Sequence, residues 1–155
     1  MIILKNISYT TNSNEKILDD INLNIKKGEF VVITGKSGSG KTTLASVING
    51  LISHYYEGTL TGEAYINGEK INDLELSKIG NYIDTVFQDP RSQFFMMDPF
   101  NEVAFGLCNR CLNKDEIKQR VKNSLQIFGI EHLKEKSIFK LSSGEKQKVA
   151  IASCY

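Results

Sequence analysis

Ile3, Lys5, Ile7 and Tyr9 alternate along the chain with Leu4, Asn6 and Ser8, and this period of two predicts a strand with the first set on one face. The polar stretch TTNSNE breaks it. Leu18, Ile21, Leu23 and Ile25 lead into a second strand, closed by the turn Lys26-Lys27-Gly28. Phe30 to Ile33 is a continuous apolar run, FVVI, as expected of a strand buried on both faces. A glycine-rich segment follows at once, and then Leu44, Val47, Ile48 and Leu51 recur at helical spacing. Gly58 to Leu74 is strand-like, with Asn67-Gly68 as its hairpin turn, and Tyr82 to Phe87 reads as another buried strand.

The second half is more helical. Asn113 and Glu116 form a capping pair ahead of Ile117, Val121, Leu125 and Phe128, which share one stripe, and Gly129 is the stop. Ser142 and Glu145 form another capping pair ahead of Val149, Ala150 and Ile151. There is no internal repeat and no low-complexity tract. The expected fold class is α/β, with a helical insertion.

Composition changes this picture little, but it narrows the function. Of 155 residues, 41% are hydrophobic and 24% charged, the balance of an ordinary folded domain rather than a disordered chain. A formal net charge of +1 gives no electrostatic case for nucleic acid as a partner. No apolar run reaches the ~18–20 residues that cross a bilayer. The start, MIILKNISYT, lacks the pattern of a signal peptide, and three cysteines without an export signal point to the reducing cytoplasm.

The glycine-rich segment carries the clearest chemistry. Gly35-Lys36-Ser37-Gly38-Ser39-Gly40-Lys41-Thr42 fits the spacing GxxxxGK[ST]. Its glycines let the backbone curl so that N–H groups cradle phosphate oxygens. A helix from Thr43 adds its positive end beneath them. Lys41 reaches the β- and γ-phosphates, and the Thr42 hydroxyl ligates Mg²⁺. A glycine turn without a ligand is the plain alternative, which the preceding buried strand and the following amphipathic helix argue against. The motif says nucleotide without saying which class of P-loop protein.

Two further segments choose among classes. Gln88-Asp89-Pro90-Arg91-Ser92-Gln93 leaves the end of an expected strand, where a glutamine reaches a nucleotide-bound Mg²⁺ and its water, or is an ordinary loop residue. Leu141-Ser142-Ser143-Gly144-Glu145-Lys146-Gln147-Lys148 is a serine-capped helix start that offers N–H groups to an anion, or is a simple cap. In their order, GKSGSGKTT, VFQDPRSQFF and LSSGEKQKVAIAS resemble the Walker A motif, Q-loop and signature motif of ABC ATPases. INGLISHYYEGTLTGEAYING and NEVAFGL look closer still to the ATPases of energy-coupling-factor transporters, importers of vitamins and metal ions.

The resemblance spans Met1 to Tyr155. It implies a P-loop NTPase core with an antiparallel β subdomain over about residues 1–90, and a helical subdomain over about 91–155 that ends in the signature helix. It implies binding of ATP with Mg²⁺ through Gly35 to Thr43, with Lys41 and Gln88 as catalytic positions and Thr42 and Gln88 at the metal. Two such domains, alike or different, sandwich two nucleotides, and Ser142, Ser143, Gly144 and Glu145 touch the one held by the opposite P-loop. Transmembrane transporter subunits are the other partners, and they hold the ATPase at the cytoplasmic face of the membrane.

The chain departs from the family pattern in three ways. LSSGE stands for LSGGQ. The aromatic residue on which the family stacks adenine aligns with Thr11, so Tyr9, two residues earlier on the same side of the strand, is either the substitute or a core residue. Third, the strand ending in Asp-Glu that lies beyond the signature helix, and the later switch histidine, have no counterpart before Tyr155. The resemblance therefore implies a core without its C-terminal strands and without its catalytic carboxylate. The rival readings are a non-hydrolysing fragment or half of a split protein, and a different P-loop enzyme such as a small kinase.

Other residues invite less. Cys108 and Cys111 form a lone CxxC, and Cys154, His54 and His132 supply no second paired spacing for a tetrahedral metal site. Phe94, Phe95, Met96, Met97 and Phe100 are either helical-subdomain core or an exposed surface for a membrane subunit.

Overall fold

The computed structural model describes residues 1–110 and 112–155. The chain divides into two compact units, Met1–Asp84 and Thr85–Tyr155. In the first, β1 (Ile2–Thr11), β2 (Lys16–Ile25), β3 (Gly58–Ile66) and the short β4 (Glu69–Lys70) form an antiparallel sheet in the order β2-β1-β3-β4. The β3–β4 turn falls at Asn67-Gly68, both at positive φ, as the dipeptide predicts. Two helices, α1 (Lys41–Ile48) and α2 (Leu51–Tyr55), come between β2 and β3, and α3 (Leu76–Ile79) follows β4. Leu44, Val47 and Ile52 from α1 and α2 pack with Leu4, Ile7 and Leu18 of the sheet.

The strand alternation at the N-terminus is not the one its period predicts. Leu4, Ile7 and Tyr9 are the buried residues of β1, so the phase resets between Leu4 and Ile7. The cause is a bulge. Asn6 takes φ 50° and its partner strand answers with Asp20, also at φ 50°. The Asn6 amide donates to Asn22 Oδ1 at 2.9 Å, and its side-chain nitrogen donates to Asp20 Oδ1 at 2.7 Å. Opposite lies Gly62, where a Cβ would collide with the carbonyl oxygens of Lys5 and Asn6. An extra residue in one strand therefore moves Ile7 to the core side.

The two apolar runs expected as buried strands are not strands here. Neither 30–33 nor 82–87 joins the sheet, and Phe30 is 90% exposed, with Val32, Tyr82 and Phe87 also exposed. A continuous apolar run marks a segment competent for a parallel sheet, but strand geometry is realised only by pairing with neighbours. Among the described residues no strand lies beside either run.

The second unit is helical. It comprises α4 (Pro99–Asn109), α5 (Lys114–Ile127) and α6 (Ser143–Ala152). Asp98, Asn113 and Ser142 cap them, each side chain accepting a backbone N–H three residues on. Val103, Val121, Leu125, Leu133 and Val149 form the core. The buried Ser124 hydroxyl donates to the Ala152 carbonyl at 2.7 Å and so ties α5 to the end of α6. No described helix is long and apolar enough to cross a membrane.

Candidate phosphate and signature sites

The phosphate loop sits in the first unit, ahead of α1. Gly40 caps that helix at φ 82° and supplies no side-chain bond, so the N–H groups of the first turn face the loop without a capping acceptor. Only glycine serves at this position. A Cβ on Gly40 would meet the Ile17 carbonyl oxygen and Leu18 Cδ2, each at 3.0 Å. The Lys41 ammonium lies inside the curl, donating to the carbonyls of Gly35 at 2.9 Å and Lys36 at 2.6 Å and to Ser39 Oγ at 3.3 Å. Ser39 N–H closes the loop on the Lys36 carbonyl. The helix begins at Lys41, two residues earlier than its spacing suggests, so Thr42 and Thr43 both stand in the first turn. A curled loop with a lysine at its centre, ahead of an uncapped helix, suits a phosphate chain. The exposed Thr42 hydroxyl is the kind of oxygen donor Mg²⁺ takes.

A cleft of about 190 Å³ adjoins this helix start. It is lined by Thr11 and Ile17 from the sheet, Thr42 and Thr43 from α1, and Ile52 and Tyr56 around α2. Tyr9 contributes to the same cleft, and of its two readings it takes the core one rather than that of a stacking platform. Its ring is in the core, 4% exposed, and its hydroxyl donates to the Glu57 carbonyl at 2.8 Å. Tyr9 shares its face with Ile7, as the period of two predicts, and the bulge at Asn6 brings Leu4 to that same buried side.

In the second unit Gln88 is exposed and shares a cleft of about 490 Å³ with Asp89, Pro90, Arg91, Ser143, Lys146 and Gln147. The Q-loop-like segment and the start of α6 are therefore brought together. The Asp89 side chain accepts from the Arg91 guanidinium at 3.1 Å and from its amide at 3.0 Å, and these bonds hold its carboxyl below the usual range. At α6, Ser142 and Glu145 complete a capping box. The Ser142 hydroxyl and amide each donate to Glu145 Oε2 at 2.7 Å, and the Glu145 amide donates back at 3.3 Å. The hydroxyl bond, then the amide bond, lower the Glu145 carboxyl below its ordinary value. Ser143 and Gly144 lie exposed on the first turn, and a Cβ on Gly144 would meet nothing within 4 Å.

Glu102 escaped the sequence reading. It lies within NEVAFGL on α4, only 5% exposed, and its Oε2 accepts the amides of Phe95 at 3.0 Å and Met96 at 2.8 Å. Burial pushes its carboxyl up, and the Met96 and Phe95 amides oppose that. A lone glutamate in an apolar helix stripe was the available signal. Glu102 splits the aromatic cluster between the two readings offered for it. Phe94 and Phe100 pack on the helical core, while Phe95, 75% exposed, and Met97 face outward, with the Phe95 ring stacked on Phe105 at 5.2 Å. Of the CxxC pair, Cys108 is exposed and Cys111 lies outside the described residues. No group of three metal-ligating side chains occurs among the described residues.

The chain is similar to known proteins along its length. An ABC transporter ATP-binding protein of Treponema denticola is 47% identical over 156 residues, covering 100% of this chain and 32% of its own. One from Pyrococcus abyssi is 38% identical, covering 99% of this chain and 55% of its own. The chain thus spans about a third to a half of the length of these relatives. Among solved structures, CbiO1 of Clostridium perfringens, described as part of the ABC transporter complex CbiONQ, superposes with a TM-score of 0.84 at 36% identity. That match covers 99% of this chain and 60% of CbiO1. The ATP-binding cassette MJ0796, in a dimeric post-hydrolysis state bound to ADP and Pi, gives a TM-score of 0.81 at 31% identity, covering 99% and 68%. The family model described as ABC transporter matches residues 18–155, and the chain belongs to that family of ATP-binding proteins.

Proposed function

We propose that this chain binds MgATP and serves within the energising ATPase of an importer of the energy-coupling-factor type, one that takes up vitamins or metal ions. The carrying observation is the Lys41 ammonium, held at the centre of a glycine-curled loop directly ahead of the uncapped start of α1. Gly35, Lys36, Ser37, Gly38, Ser39, Gly40 and Thr43 present the loop and first-turn N–H groups to the phosphate oxygens. Lys41 would exchange the loop carbonyls for the β- and γ-phosphates. Thr42 would ligate Mg²⁺ and Gln88 is the second candidate ligand; bound there, the ion would neutralise phosphate charge. Ser142, Ser143, Gly144 and Glu145 present the α6 start to a nucleotide held by a second ATPase domain, alike or different. By that division residues up to about 90 bind nucleotide and those from about 91 carry the signature.

CbiO1, described as part of an ABC transporter complex, supports the transporter reading, and with it the proposal of a peripheral place at the cytoplasmic membrane face. The dimeric MJ0796 cassette supports pairing. Phe95 and Met97 are the apolar side chains that would meet a membrane subunit. Titrating labelled ATP with Mg²⁺ into wild type and Lys41→Ala tests the nucleotide reading. A charge-assisted contact of this kind is worth ~1.5–3 kcal/mol, so the variant binds at least tenfold more weakly. Equal affinities in two folded proteins would remove it.

A further inference from the structure

We infer that Tyr56 is the aromatic wall against which the base of the bound nucleotide stacks, a role for which the sequence offered only Tyr9. The inference rests on the phosphate-loop reading above. A phosphate chain seated at the start of α1 sends the remainder of its nucleotide toward whatever hollow adjoins Thr42 and Thr43. The cleft of about 190 Å³ is lined by both threonines. Its other walls are those a flat heteroaromatic ring takes. Ile17 and Ile52 are aliphatic, and Tyr56 adds an aromatic face with a polar tip. Thr11 has no ring to offer, and Tyr9 is locked in the core. Tyr56 is 56% exposed while lining the cleft, so it has a face to present.

The segment is also held in place, as a binding wall must be. Tyr56 follows the last residue of α2 in extended backbone, at φ −101° and ψ 131°. The next residue is anchored twice, its carbonyl by the Tyr9 hydroxyl at 2.8 Å and its carboxylate by Asn12 Nδ2 at 2.8 Å. Beyond it, Gly58 pairs with Thr11 across β1 and β3. Tyr9 thus acts on the base indirectly. Its buried hydroxyl fixes the Glu57 backbone that sets where Tyr56 stands. The walls are apolar and aromatic, so the contact is to the ring face and favours any purine nucleotide over a bare polyphosphate.

The test compares MgATP with magnesium tripolyphosphate, which has the phosphates without the base, by calorimetric titration of the full chain. Tyr56→Ala is expected to lose about tenfold in ATP affinity, in line with stacking energies per base, and to keep its tripolyphosphate affinity. Tyr56→Phe keeps the ring and restores ATP binding. Tyr55→Ala, which alters an exposed neighbour that does not line the cleft, binds both ligands like wild type. Unchanged ATP affinity in Tyr56→Ala overturns the inference, as does an equal loss of both ligands or a failure of phenylalanine to rescue. Lys41→Ala separates the two readings. It should lose both ligands, and retention of both there would sink the phosphate loop itself and this inference with it.

Discussion

Replacing Glu102 with alanine removes one oxygen that serves two backbone amides, those of Phe95 and Met96, at 3.0 and 2.8 Å. Each bond to an ionised acceptor is worth ~1.5–3 kcal/mol, and each amide left without a partner costs ~1–3 kcal/mol. Against this stands the penalty of burying a carboxylate, visible in its raised pKa. The two nearly offset while the group is paired, but the alanine variant keeps only the loss. The expected destabilisation is ~2–4 kcal/mol, in the range for breaking a buried polar pair. Glutamine is the informative contrast. A single oxygen accepts both amides, so the Glu102→Gln variant can hold the loop without charge and should fall within ~1 kcal/mol of wild type.

Linkage sets the sign of the pH effect for Glu102. Its folded-state pKa is raised, so its contribution is complete below the ordinary glutamate value and is lost as pH rises through the raised one. Urea midpoints across that window should therefore decline with pH more steeply in wild type than in Glu102→Gln. Amide exchange read at Phe95 and Met96 gives the local check: fast in alanine, slow in glutamine. An alanine variant within ~0.5 kcal/mol of wild type, with both amides still protected, would refute this account of the loop.

Other outcomes follow from single contacts. Gly40→Ala should abolish phosphate binding, measured by the same ATP titration, since the left-handed turn costs a Cβ residue ~1–2 kcal/mol and the new methyl presses on Ile17 and Leu18. The lowered Glu145 carboxyl strengthens the α6 cap above the ordinary glutamate pKa, and that support is lost as pH falls through the lowered value; amide exchange at Glu145 should rise there, and not in Ser142→Ala, where it is fast throughout. Ser142→Arg should spare nucleotide binding by the single chain and abolish ATP-driven pairing with a second ATPase domain, as read by sedimentation. If the FVVI run is a pairing edge, a partner strand supplied in trans from a longer relative should protect the 30–33 amides from exchange, and unaltered exchange would show that it is not.

Short-range grammar was legible in the sequence. The Asn67-Gly68 turn, both capping pairs and the curl of the phosphate loop each depend on residues within a few positions of one another. What failed depends on distant partners. FVVI and the run to Phe87 have strand composition, yet nothing in a linear pattern says whether a neighbouring strand is present to pair with them. Tyr9 stayed open between stacking and core for a related reason. A period of two groups it with Ile7 but does not say which face the helices cover, and the bulge built from Asn6, Asp20 and Gly62 adds Leu4 to that face. Glu102 and Tyr56 were hidden in the same way, because a buried carboxylate and a cleft wall acquire meaning only from what folds against them.

The bulge at Asn6 also lets β1 carry a spare residue without losing its place in the sheet. Without Asn6, the run Leu4, Lys5, Ile7, Ser8, Tyr9 alternates without a break, inward residues falling on the inward side. Against β3, Lys5 faces Glu63 before the bulge and Ser8 faces Thr61 after it, so a step of three along β1 matches a step of two along its neighbour. The extra residue is taken up sideways rather than along the strand. The far end of β1 carries Thr11, opposite Gly58 and on the rim of the cleft beside α1. Asn6 thus marks a place where the chain tolerates a change of length by one residue while that rim keeps its register.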